Sequence, residues 1–183
     1  MIKLPEELKD SEKWWMLSYY KVRAMKGEDL TIKEFKQICE MEKDLFPPEL
    51  REEKGIKNFD ENGMFIVSYT PENDIAGYAY LRPYVECYEE LKGHDNKMII
   101  KGMKNALYLD SIAIKKEFHG KGYFSLLVKK MRTEAELNPI IMHARTTNNC
   151  SLGMKHRGAT KHHSVDNWFG SGEKFDYLIL KNK

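Results

Sequence analysis

Cysteine is scarce: Cys39, Cys87 and Cys150 are the only three in 183 residues, odd in number, far apart and in no Cys-x-x-Cys pair. That spacing argues against a disulfide framework and against a zinc site. Long apolar runs are missing as well. No stretch approaches the ~18 residues that would span a bilayer. The opening Met1-Ile2-Lys3-Leu4-Pro5-Glu6-Glu7 lacks the apolar core of a secretory signal. A cytoplasmic protein with no membrane partner is expected. Nor is one sign of charge in excess: 30 Lys and Arg face 28 Asp and Glu, a formal net charge of +2. Such a balance leaves no electrostatic footprint for nucleic acid. One basic run, Lys155-His156-Arg157 with Lys161-His162-His163, reads as a solvated rim or as a contact for an anionic cofactor tail. His156, His162 and His163 have no acidic or cysteine partner at ligand spacing, so no metal is expected. Internal repeats and low-complexity segments are also absent.

Hydrophobic residues make up 42% of the chain and charged residues 32%, the mixture of a folded protein with a charged surface. A chain of this length is expected to form one domain over 1–183 and to bury about 70% of its unfolded surface. Residues 5–16 read as a helical extension in front of it, and 18–25 as a strand. Thr31 with Glu34 three residues on forms a capping box. Ile32, Phe35, Ile38, Cys39, Met41 and Leu45 then recur at helical spacing, and Phe46-Pro47-Pro48 ends that helix. A second short helix is expected over 49–54. Met64 to Tyr69 and Ile75 to Leu81 read as a hairpin around Pro71-Glu72-Asn73-Asp74.

The polar segment 83–104 is long for a hairpin connection. It is expected to be an added hairpin with Lys97 to Lys101 as its return strand, or a loop over a substrate site. Ala106 to Ile114 is apolar enough for a strand buried on both faces. A charged turn over 115–122 leads into a helix from Phe124 to Leu137. Strand 139–146, helix 149–157, strand 159–166 and strand 175–180 follow. Three antiparallel strands before a strand–helix–strand unit make an α+β plan, a mixed α/β sandwich.

Chemistry concentrates between Leu109 and Phe124, where a buried strand runs into His119-Gly120-Lys121-Gly122 and then into an amphipathic helix. The first N–H groups of a helix have no acceptor and sit at the positive end of its dipole. Glycines let the preceding backbone curl around an anion, so this turn suits a phosphate or pyrophosphate. Two nucleotide fingerprints fail. Gly-x4-Gly-Lys-Ser/Thr is absent, and no third glycine completes a dinucleotide loop, position 125 being Ser125.

The stretch resembles motif A of the Gcn5-related N-acetyltransferases: a strand of the type Leu-x-Ser-Leu-Ala-Val, four linking residues, then Gln/Arg-x-x-Gly-x-Gly/Ala. Ile112-Ala113-Ile114 matches the strand end and Gly122 the central glycine. His119 stands for Gln/Arg, and Phe124 for the last small residue. The resemblance extends over 18–181 in element order and over 106–165 in motif. It implies a mostly antiparallel sheet with two splayed parallel strands, flanked by helices, and acetyl-CoA as co-substrate. It implies pantetheine lying along the backbone of Ile112, Ala113 and Ile114 like an added strand. His119 and the N–H groups of Gly120, Lys121, Gly122, Tyr123 and Phe124 would hold the pyrophosphate, with the Phe124 ring turned away. Asn148 or Asn149 would bond a pantetheine amide.

The implied activity is acetyl transfer to a primary amine, on a small molecule or a protein, by direct attack in a ternary complex. The alternative is a catalytically silent acyl-CoA sensor or interaction module on the same fold. Family bases fall on Asp110 and Tyr108, which share a strand face. A carboxylate in an apolar strand is costly to bury without a partner, which favours Asp110; its plainer role is a structural hydrogen bond. Glu86 is the second candidate. The tyrosine that often protonates the departing thiolate is replaced by Met154, leaving His156, a mobile tyrosine or solvent as the acid. Cys150 reads as a structural thiol, and Trp168-Phe169-Gly170-Ser171-Gly172-Glu173 as packing for the last strand. Glu86, Glu89, Glu90 and Asp95 read as a solvated loop or as an attraction for a cationic amine. A homodimer is common for the fold.

Overall fold

The computed structural model describes residues 21–45 and 62–181, and the expected helices at 5–16 and 49–54 lie outside them. Seven strands form one sheet: β1 Lys21–Lys26, β2 Met64–Tyr69, β3 Ile75–Pro83, β4 Leu107–Ile114, β5 Ile140–Arg145, β6 Ala159–Val165 and β7 Phe175–Leu180. Their spatial order is β1-β2-β3-β4-β5-β7-β6. Among the described residues only β4 and β5 run parallel; the other neighbours are antiparallel. Among the described residues there are four α-helices, α1 Ile32–Leu45, α2 Tyr84–Lys92, α3 Tyr123–Ala135 and α4 Cys150–His156.

Alternation along the strands sorts these helices onto two faces. On β3, Ala79 and Leu81 join the cluster built on Leu127, Val128 and Met131 of α3 and Met154 of α4. Tyr78 and Tyr80 point the other way, to Ile38 and Met41 of α1. That second face continues under α2, where Tyr84, Cys87, Tyr88 and Leu91 pack on Tyr108, Ile141, Tyr177 and Ile179. Burying a large apolar side chain is worth about 1.5–3 kcal/mol, so these layers fix strand order and hence the site.

The capping box forms as expected. Thr31 N–H donates to Glu34 Oε2 at 2.8 Å, and Glu34 N–H to Thr31 Oγ1 at 3.2 Å. The segment 83–104 differs from the expectation: it holds no return strand, and Lys97 to Lys101 is irregular. Instead α2 leaves β3 directly, because Tyr84, Cys87, Tyr88 and Leu91 fall at i, i+3, i+4 and i+7 and bury as one stripe. Helix α3 begins at Tyr123 and ends at Ala135, leaving Leu137 82% exposed.

Candidate active site

The site is made where the two parallel strands part. Leu107, Tyr108 and Leu109 pair with Ile140, Ile141 and Met142, and the pairing stops there. On its other edge β4 stays paired to β3 as far as Ile114. That antiparallel register jumps from Ser111 to Leu109 and passes over Asp110. A bulge of this kind bends a strand and re-aims its side chains. From Asp110 onward β4 therefore offers an open backbone edge towards β5.

Directly beyond lies the glycine turn. Gly120 and Gly122 take φ of 75° and 88°, left-handed values that cost other residues about 1–2 kcal/mol. Gly122 is the N-cap of α3. Gly120, Gly122, Tyr123, Phe124 and Ser125 line the same cleft as Ile112, Ala113 and Ile114, as do Asn148 and Asn149 at the start of α4. The cleft has a volume of about 850 Å³, within the usual size of a cofactor site.

His119 lines the cleft too, and two groups of the turn already have partners within the chain. Lys121 N–H donates to the Phe118 carbonyl at 3.3 Å; the Lys121 side chain is exposed, with its ammonium 5.3 Å from the Phe118 ring centre. His119 Nε2 is bonded to the Ile114 carbonyl at 2.9 Å, so that nitrogen pins the turn. The Phe124 ring reaches across to α4, where a Cβ on Gly153 would come within 3.0 Å of it. Arg157 lies over the same ring at 4.8 Å and bonds the Ser125 hydroxyl and the Gly153 carbonyl. The bulk at position 124 is thus absorbed by Gly153, and a guanidinium is held beside the first turn of α3. Arg157 belongs to the basic run that reads as a solvated rim or as a contact for an anionic cofactor tail, and it faces the cleft. Arg145 was not singled out by its pattern in the sequence; its Nε pairs with Glu173 at 3.1 Å while its buried Nη2 has no hydrogen-bond partner among the described residues. Both arginines line the cleft.

The other half of the cleft faces α1 and α2. Asp110 meets Arg82 Nε at 3.1 Å, with both side chains about five-sixths buried, and Glu90 lies 3.8 Å from Arg82 Nη1. Glu42, Glu90, Arg82 and Asp110 all line the cleft among aromatic rings, Tyr78, Tyr80 and Tyr108 on one side and Trp168, Phe169 and Phe175 on the other. Trp168 packs as expected, whereas Phe169 also reaches the cleft, on a backbone φ of 50° that is strained for its type. Glu86 does not reach it; exposed on α2, it accepts a hydrogen bond from Asn62 at 3.0 Å. Asp95 is neither solvated nor in the cleft. It is 4% exposed and bonded to His143 and His163.

Tyr108 is buried, and its hydroxyl lies 3.0 Å from His143 Nδ1. Burial pushes that hydroxyl well above the ordinary tyrosine range, so it stays protonated at neutral pH. Met154 is fully buried in the core, so the position offers no acid. Burial pushes the Cys150 thiol up to about 11, with Arg145 opposing weakly; a thiol so placed is a poor nucleophile near neutrality. His156 and His162 are exposed, and His163 turns to Asp95.

The acetyltransferase (GNAT) family model matches residues 30–154, more than half of the chain, and the protein belongs to that family. No curated protein matches the sequence significantly. Among solved structures, the ribosomal-protein-S18-alanine N-acetyltransferase of Escherichia coli is similar, with 13% identity, coverage of 90% of this chain and 94% of that one, and a TM-score of 0.64. Arabidopsis thaliana NAA60 in complex with acetyl-CoA shares 10% identity over 88% of this chain and 98% of its own, at a TM-score of 0.66. A mutant of the spermidine N-acetyltransferase SpeG of Vibrio cholerae shares 14% over 90% and 95%, at 0.59. At these identities the likeness is one of fold.

Proposed function

We propose that the protein is an N-acetyltransferase that moves the acetyl group of acetyl-CoA to a primary amine by direct attack. The observation that carries this reading is the open edge of β4 beyond Leu109 running straight into the glycine turn and α3, all on one cleft. An extended pantetheine pairs with the open edge at Ile112 to Ile114, and the pyrophosphate lies on the turn and the positive end of α3. Asn148 or Asn149 takes a pantetheine amide, with Arg145 and Arg157 flanking. A β4 N–H near Ile112 stabilises the oxyanion of the tetrahedral intermediate.

Asp110 and Tyr108 are the catalytic pair in this reading. Asp110, held by Arg82, orients the incoming amine with help from Glu90 and Glu42. The Tyr108 hydroxyl, at the point where the strands part, handles the proton of the attacking nitrogen. Holding both reactants in one cleft supplies much of the rate. The acceptor is a cationic amine, small or carried on a protein; in support, one similar structure is named for a ribosomal-protein alanine and another for spermidine. Three free thiols among the described residues suit a reducing compartment.

Thermal unfolding with and without acetyl-CoA, followed by thiol release across a panel of amines, tests the proposal. A raised midpoint and amine-dependent thiol release are expected. A raised midpoint with no release on any amine would point instead to an acyl-CoA sensor, and no shift at millimolar ligand would remove acetyl-CoA from the account.

A further inference from the structure

Three hydrogen bonds behind the cleft join side chains from β4, β5, β6 and the segment after α2. Tyr108 Oη lies 3.0 Å from His143 Nδ1, and His143 Nε2 lies 3.1 Å from Asp95 Oδ2. His163 Nε2 reaches the same oxygen at 2.5 Å. The acceptors assign the protons. A carboxylate oxygen receiving two Nε2 atoms requires N–H at both, which leaves His143 Nδ1 bare to accept the Tyr108 O–H. The His143 side chain is wholly buried and cannot turn, stacked on Trp168 at 3.7 Å and against Tyr177 at 5.1 Å. Its position is also telling: His143 is the first β5 residue after the pairing with β4 ends, and it lines the cleft together with Tyr108.

We propose that Tyr108, His143 and Asp95 form a hydroxyl–imidazole–carboxylate relay that takes the proton of the attacking amine and returns it to the departing thiolate, with His163 holding Asp95 in place. The proposal rests on the acetyl-transfer reading above. Tyr108 is the catalytic residue, since it meets the reacting nitrogen; His143 and Asp95 are positioning residues that act through it. As the neutral amine attacks, the C–N bond forms and the carbonyl oxygen becomes an oxyanion. The nitrogen gives its proton to Tyr108 Oη while the Tyr108 proton passes to His143 Nδ1. Asp95 stabilises the resulting imidazolium without itself being protonated, as in a hydrolase triad. When the C–S bond breaks, the proton returns through Tyr108 to sulfur. Amide and free thiol leave, and the relay is reset with no outside donor, which answers the loss of an acid at Met154.

The resting charges suit this use. Burial lowers the His143 pKa below its usual value and outweighs the hydrogen bond and charge of Asp95, so the ring is neutral near pH 7. Burial raises Asp95, but hydrogen bonds from His143 and His163 outweigh it and hold the carboxyl at about 2. The titratable and charged groups around the ring are Asp95 and His163, Tyr177 of β7 and Tyr108 of β4. Behind Tyr108 stand Asp110, Cys87, Arg82 and Tyr84.

The test compares wild type, Tyr108→Phe and His143→Gln across pH, with acetyl-CoA and an amine found by thiol release. A fall in kcat of about 100-fold or more is expected for both variants, with KM for acetyl-CoA unchanged. The wild-type kcat profile is expected to show an acidic limb below pH 6.5, the ordinary histidine value, and His143→Gln to lack it. A network that is merely structural would lower the unfolding midpoint and leave kcat and that limb in place, which overturns the relay. If His143→Gln does not fold, Tyr108→Phe decides alone, because it removes one oxygen from an otherwise unchanged ring. Wild type that releases no thiol with any amine refutes acetyl transfer and the relay together; active wild type with equally active variants refutes the relay only.

Discussion

Alanine at Gly122 separates the anion turn from ordinary backbone strain. Gly122 sits at φ 88° as the N-cap of α3, where any side chain costs about 1–2 kcal/mol. For a chain of this size each kcal/mol lowers the midpoint by about 2–4 °C, so Gly122→Ala is expected to lose roughly 2–8 °C. The same substitution moves the N–H groups proposed to meet the pyrophosphate. Loss of one charge-assisted hydrogen bond is worth about 1.5–3 kcal/mol, a weakening of acetyl-CoA binding by roughly 10- to 150-fold. Gly102 is the control: its φ is 79°, a Cβ there meets nothing within 4 Å, and it lies outside the cleft. Titration calorimetry with acetyl-CoA, beside melting curves, gives both numbers. Gly102→Ala is expected to melt lower and bind normally. If the two variants lose stability alike and neither loses acetyl-CoA, the turn does not hold the cofactor.

Asp110→Asn keeps its shape beside Arg82 but loses the charge proposed to receive an ammonium, so steady-state kinetics are expected to show KM for the amine raised about tenfold or more and acetyl-CoA binding intact. Cys150→Ala is expected to keep wild-type kcat in the thiol-release assay, since a thiol at about 11 carries no covalent step. Asp176 is 2% exposed and bonded to Lys155, Lys161, Ser151 and Ser164. Burial raises its pKa, yet those bonds outweigh it and depress the folded value well below 3.8. Its stabilisation is therefore complete above pH 3.8 and lost as pH falls through the folded value. Asp176→Asn is expected to cost about 3 kcal/mol at pH 7 in denaturant titrations, a gap that narrows in acid.

The sheet strands were legible because alternation and turn residues are local signals. Met64 to Tyr69 and Phe175 to Leu180 begin and end where the patterning says. Helix α2 was equally written in Tyr84, Cys87, Tyr88 and Leu91 at helical spacing, but the surrounding glutamates and lysines gave the segment the look of a polar loop. Glycines at 120 and 122 announced the tight turn before α3, where both take a positive φ. Asp95, His143 and His163 carried no comparable signal: 68 residues separate the outer two, and the bond exists only because β6 and β7 fold back beside β5. The bulge at Asp110 was hidden for a similar reason, since register is a property of two strands.

The central claim is acetyl transfer to nitrogen, and it is tested most directly by incubating the protein with isotopically labelled acetyl-CoA and a panel of polyamines, aralkylamines and peptide amines, then reading products by mass spectrometry and NMR. The account predicts one class of amine carrying the labelled acetyl group on nitrogen, with one free thiol per amide formed. Tight binding of acetyl-CoA with no labelled amide on any amine would contradict it.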